Sequence, residues 1–161
     1  MKIVKIISQD EFEVEGEFVL GDLIRSEDVL AVVISIYQEA SEYSDYLGRL
    51  EVAEIKEFLP DLVEGRRVAK CLALSTVHLE DVFTLPRVGA EVSVVSKEEL
   101  RDIHLKDGKL KIPYLVKLLR SNIDVARRLI LKLIEAIPEE KDLLEIILAE
   151  IEYNRMRGVE L

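Results

Sequence analysis

The chain has 161 residues, the length of one ordinary domain or two very small ones. With 34% charged and 49% hydrophobic residues it is not a disordered tail, and its longest apolar stretch, Val29–Tyr37, is too short to span a bilayer as a helix. Thirty-two acidic against 22 basic residues leave a net charge of −10, which argues against whole-surface binding to nucleic acid or anionic lipid.

The single cysteine, Cys71, excludes an internal disulfide framework and fits a reducing cytosol. The Met1-Lys2-Ile3 start carries no signal-peptide pattern, so the expected location is cytoplasmic. Gln and Asn together number four among abundant Glu, Lys and Arg, a bias that points to a hot habitat. Charge divides the chain. Residues 1–104 hold 22 acidic and 11 basic side chains, a net of −11, whereas residues 105–161 hold 10 and 11, a net of +1. Such asymmetry marks two structural units.

In chain order, Lys2–Ile7 reads as a strand ending at the turn formers Ser8-Gln9-Asp10. Phe12-Glu13-Val14-Glu15 alternates apolar and acidic residues, the pattern of a strand with one wet face. Gly16 interrupts it, and Glu17–Leu20 reads as its resumption before Gly21-Asp22. Val29–Tyr37 is more continuously apolar and is expected to be covered on both sides. Residues 38–50 read as a polar loop, and Val52–Leu59 as two helical turns stopped by Pro60. Arg67–Val77 and Ala90–Val95 are further strands, the latter introduced by the turn Pro86-Arg87-Val88-Gly89. Five or six short strands with turns between them predict a small barrel.

Ser96 and Glu99 have capping-box spacing, which predicts a short helix through Ile103. Ile112-Pro113 precedes a second helix over Tyr114–Arg120. Ser121 or Asn122 can cap a third, in which Ile123, Ala126, Ile130, Leu133, Ile134 and Ile137 recur at three- and four-residue steps. Pro138, followed by Glu139 and Glu140, starts the last helix, which Gly158 can terminate. Its apolar stripe is Leu144, Ile147, Leu148 and Ile151, and Leu143 and Ile146 carry apolar character to a second side. The short connection at Ala136–Pro138 makes an antiparallel hairpin the natural arrangement, and its surplus apolar surface must pack on the barrel or on another chain.

Chemistry-bearing motifs are sparse. There is no GxxxxGK(S/T) phosphate cradle, and the seven glycines form no GxGxxG turn. Cys71, His78 and His104 are too few and too scattered for a zinc site, and Cys71 in an apolar strand reads as a small hydrophobe. Glu11, Glu13, Glu15 and Glu17 share one face of an extended chain, which a solvated strand explains without a metal ion. No catalytic residue and no cofactor is expected. The basic residues Arg127, Arg128 and Lys132, with Arg120 two turns earlier, form a helical stripe that could face phosphates or an acidic protein.

The order of these turns resembles the HAS barrel, the small β-barrel of HerA-type DNA translocases and ATP synthase subunits. The carrying residues are Phe12-Glu13-Val14, Gly16-Glu17-Phe18-Val19, Gly21-Asp22-Leu23-Ile24 and Val29–Ile36. They continue with Pro86–Val92, Ser96-Lys97-Glu98-Glu99-Leu100 and Gly108–Pro113, the last similar to the segment that leads HerA towards its ATPase core. Where HerA enters its Walker A motif, this chain passes into the helices from Tyr114. The resemblance therefore implies the barrel's role in subunit or partner contacts, without ATPase or translocase activity.

The resulting expectation is an α+β fold, a β-barrel over residues 1–105 followed by a helical hairpin subdomain over residues 106–161. It implies a non-enzymatic interaction or oligomerisation module, an accessory factor of a HerA-type translocase–nuclease system, with a protein partner or self-association and no membrane. The interface residues expected are Leu144, Ile147 and Ile151, together with Arg127, Arg128 and Lys132. The alternative is a nucleic-acid-associated protein that binds through the basic stripe.

Overall fold

The computed structural model describes residues 1–39 and 65–158. The expected Val52–Leu59 helix lies outside the described residues, as does the expected 38–50 loop from residue 40 onward; its first two positions, Gln38 and Glu39, are strand, paired with Arg67 and Arg66. The remainder is an α+β fold in which a six-stranded antiparallel sheet, curled into a half-barrel, is followed by four helices.

The strands are β1 (Lys2–Ile6), β2 (Glu11–Glu15), β3 (Leu23–Ser26), β4 (Val29–Glu39), β5 (Arg66–Thr76) and β6 (Ser93–Val94), in the spatial order β1-β2-β5-β4-β3-β6. The segment expected as the last strand, Ala90–Val95, serves both edges of this sheet. Its Ser93–Val94 part pairs with β3, while the Ile3 amide donates to the Ala90 carbonyl at 3.0 Å and the Val92 amide to the Met1 carbonyl at 2.9 Å. One short segment thus satisfies backbone groups on two strands that would otherwise both be open edges.

Glu17–Leu20 does not form the expected strand. The Val19 amide donates to the Asp22 carboxylate at 2.8 Å, and the Asp22 amide returns to the Val19 carbonyl at 3.0 Å, so the chain turns here and resumes as β3 at Leu23. An Asp that satisfies local amides competes with ladder pairing, and here it wins.

Period-two alternation divides β4 and β5 between two cores. Val29, Ala31 and Val33, with Ala69, Cys71 and Ala73, face the concave interior alongside Ile3, Phe12, Val14 and Phe18. Small residues on the two long strands leave room for the phenylalanines, the large-and-small filling that a tightly curled sheet needs. Leu30, Val32, Leu72 and Leu74 point the other way, into a second core shared with the helices. The expectation that Val29–Tyr37 is covered on both sides is met over Val29–Val33, which are all buried, whereas Ile34–Tyr37 are only half-buried.

The helices are α1 (Lys97–His104), α2 (Leu115–Ser121), α3 (Ile123–Ala136) and α4 (Lys141–Arg157), with a two-stranded ribbon, β7 (Leu105–Lys106) and β8 (Lys109–Leu110), between α1 and α2. Capping follows the sequence: Ser96 Oγ accepts from the Glu99 amide at 3.2 Å, and Asn122 Oδ1 from the Val125 amide at 3.1 Å. Pro138 opens a 3₁₀ turn over Pro138–Glu140 that leads into α4, and Gly158 closes α4 in the left-handed conformation. The hairpin is antiparallel, because Asp124 pairs with Arg155 at 2.8 Å and Arg127 with Glu152 at 3.0 Å. No helix among the described residues is long and apolar enough to cross a membrane.

Candidate interaction surface

The charged rows that suggested ligand sites are largely neutralised inside the fold. On the outer face of the sheet, Lys70 meets Glu11 at 3.2 Å and Arg66 lies between Glu15 at 3.6 Å and Glu39; at the start of β5, Arg67 meets Glu17 at 2.7 Å. Glu11 and Glu15 of β2 thus meet Lys70 and Arg66 of β5 across the strand pair, whereas Glu13 is hydrogen-bonded to Tyr37 of β4. Among the described residues no three His, Cys, Asp or Glu side chains converge as metal ligands would.

The basic stripe of α3 is also engaged within the chain. Lys132 Nζ meets Asp22 Oδ1 at 2.6 Å, where Asp22 is also holding the Val19 amide, so this pair pins α3 to the turn before β3. Arg127 is held by Glu152 of α4. Arg128 lies over Gly21, where an added Cβ would come within 2.8 Å of the Arg128 Cβ, and Gly21 also has φ +85°, so both space and backbone require glycine there. Arg127, Arg128 and Arg155 line a cleft of about 340 Å³ with Asp124 and Asn122, and two of the three guanidiniums already have carboxylate partners. A second cleft of about 540 Å³ lies between His78-Leu79, the ribbon residue Lys106 and the segment Lys111-Ile112-Pro113 that follows the ribbon.

The titratable groups of the interior are held in their neutral forms. Burial pushes the Cys71 thiol up to about 12, so it is no thiolate at neutral pH. His104 is fully buried and burial lowers it to about 4, with Lys106 adding to the same direction. Its Nδ1–H donates to the Leu100 carbonyl at 2.8 Å, which fixes the tautomer and leaves Nε2 to accept from the Tyr114 hydroxyl. The two rings meet edge to face, with centroids 5.6 Å apart, and the pair ties the end of α1 to the start of α2. Cys71 belongs to the concave core and the His104–Tyr114 pair to the helical layer beyond the sheet, so they do not form a nucleophile–base couple.

The apolar stripe of α4 lies differently from the expected interface. Leu144 and Ile151 are buried in the chain's own helical core, and Ile147 is half-buried against it. These three residues dock α4 onto α3 and are not free to meet another protein while the hairpin is closed. The second side that Leu143 and Ile146 suggested is the exposed one. Ile146 is 68% and Met156 88% exposed, with Leu143 and Tyr153 half-exposed beside them. Tyr153 and Met156 were not singled out from the sequence, although their distance of seven and ten residues from Ile146 places them on the same side of a regular helix. Phe83, in the loop before Pro86, is the most exposed large apolar side chain among the described residues, at 94%.

No protein-family model matches the chain, and no curated protein matches it.

Proposed function

We propose that the chain is a non-enzymatic protein-interaction module that makes contact through the outer face of α4. The observation that carries this reading is the exposed row Leu143, Ile146, Tyr153 and Met156 on a helix whose opposite face is already buried. A soluble helix gains nothing from a second apolar face unless something covers it. The HAS-like order of turns supplies the setting: the barrel's relatives use it for subunit and partner contacts, and this chain would serve as an accessory factor of a HerA-type translocase–nuclease system. The nucleic-acid alternative is the less favoured reading, because, of its three basic residues, Lys132 and Arg127 are held by Asp22 and Glu152 and only Arg128 has no carboxylate partner among the described residues.

Size-exclusion chromatography with light scattering, on the chain alone and mixed with a HerA-type translocase, tests the proposal. The expected result is an assembly that Ile146→Glu abolishes. A strict monomer that co-elutes with nothing overturns it.

A further inference from the structure

We infer that the occupant of the α4 outer face is a second copy of this chain, seated antiparallel about a two-fold axis between Ala149 and Glu150. This rests on the interaction reading above and gives it a partner. The charges that flank the apolar row are arranged symmetrically about that axis. In a two-fold interface residue i meets j while j meets i, so the surface must complement itself. About a centre between Ala149 and Glu150, Ile146 comes level with Tyr153 of the second copy, Asp142 with its Arg157, and Leu143 with its Met156.

The row therefore has an acid at its N-terminal end and a base at its C-terminal end, and antiparallel packing brings opposite charges together twice. Neither Asp142 nor Arg157 has an ion-pair partner within the chain among the described residues. Arg157 is already positioned: its Nη1 donates to the Tyr153 hydroxyl at 2.7 Å and its guanidinium lies 5.4 Å from the Tyr153 ring centroid. The helix C-terminus further favours the base there and the N-terminus the acid. Parallel packing would instead set Asp142 against Asp142 and Arg157 against Arg157. Glu150 is the exception to this complementarity, since two copies of it come level on one flank of the seam. An interface built from one helix is small, which places the dimer in the weak, concentration-dependent range.

The test is light scattering of the full chain from micromolar to millimolar concentration, with cysteine cross-linking to fix orientation. Mass should rise from 18.4 kDa towards twice that value, and Ile146→Glu should keep it at 18.4 kDa with an unchanged circular dichroism spectrum. Asp142→Arg and Arg157→Asp should each weaken the dimer roughly three- to tenfold, and mixing the two variants should restore it. Glu150→Gln should tighten it by relieving the like-charge contact. Ala149→Cys, beside the axis, should form a disulfide-linked dimer, whereas Ile146→Cys, about 10 Å from its own counterpart along the helix, should not. A dimer that Ile146→Glu leaves intact, or one that cross-links through Ile146→Cys, overturns the inference. So does a monomer that binds a HerA-type translocase through this face, but that result leaves the interaction reading standing; a monomer that binds nothing ends both.

Discussion

Strand β4 and helix α4 both carry apolar residues on two opposite faces, yet only β4 has both covered. Val29, Ala31 and Val33 fill the concave interior of the sheet, and Leu30 and Val32 meet the helices behind it. In α4, Leu144 and Ile151 are buried while Ile146 and Met156 stand in solvent. A strand in a curled sheet between two layers needs apolar side chains on both faces for the chain's own stability. A helix on the outside of the molecule needs one such face, and the surplus on α4 stands uncovered among the described residues. The charges teach the converse lesson: rows that look free in the sequence are consumed internally, as Lys132 is by Asp22.

The contrast between the two faces of α4 can be broken most forcefully at its buried side. Leu144→Ala should cost about 2–5 kcal/mol in urea unfolding, because it opens a cavity where α4 meets the helical core. A cost below 1 kcal/mol would mean that this face is not docked.

The integrity of the helical layer should also depend on pH through His104. Its neutral form is the native one, lowered by burial to about 4 from an ordinary 6.5, so between these values the unfolded chain binds a proton that the folded chain does not. Stability is complete above about pH 6.5, falls as the pH drops towards 4, and loses nothing more to this group below that. The full loss is on the order of 3 kcal/mol. Because carboxylates titrate in the same range, the measurement is the difference between the native chain and His104→Gln, whose profile should be flatter across this window.

A smaller effect is expected at the contact between sheet and helices. Asp22→Ala removes the acceptor for the Val19 amide and leaves Lys132 half-buried without its carboxylate, a cost of about 1–3 kcal/mol. Asp22→Asn, which keeps the acceptor, should fall between the two. If Asp22→Ala melts with the native chain, the pair does not pin α3. The smallest effect on stability belongs to the exposed face. Ile146→Glu should change the unfolding free energy of dilute chain by less than about 0.5 kcal/mol while abolishing assembly. A large destabilisation there would show that the outer face is part of the fold.

The strands and helices were legible where one local rule governed them. The alternation at Phe12-Glu13-Val14-Glu15, the Ser96–Glu99 capping box and the Pro138 start of the last helical segment each depend on neighbours a few residues away. Glu17–Leu20 was not legible as a turn, because apolar residues after a glycine suit a strand equally well until the Asp22 side chain takes the Val19 amide. The candidate surface was half legible. Leu143 and Ile146 pointed to a second side of α4, but which of its two faces would be buried depended on residues far away in the chain.

The sequence by itself determined the long strands, the capped helices, the acidic N-terminal portion, the nearly neutral helical portion and the presence of more apolar surface on the last helix than one neighbour can cover; it did not determine β3 or the β7–β8 ribbon. Side-chain periodicity and capping are written into contiguous residues, so a linear reading recovers them where no second local pattern competes, as one does at Val19–Asp22. Only the tertiary structure decided that Leu144 and Ile151 face inward, that Arg127 and Lys132 are paired, and that Ile146 and Met156 remain outside. Burial and charge neutralisation depend on which groups, up to 110 positions apart for Asp22 and Lys132, are brought within hydrogen-bonding distance. That proximity is a property of the folded chain, not of any segment of it.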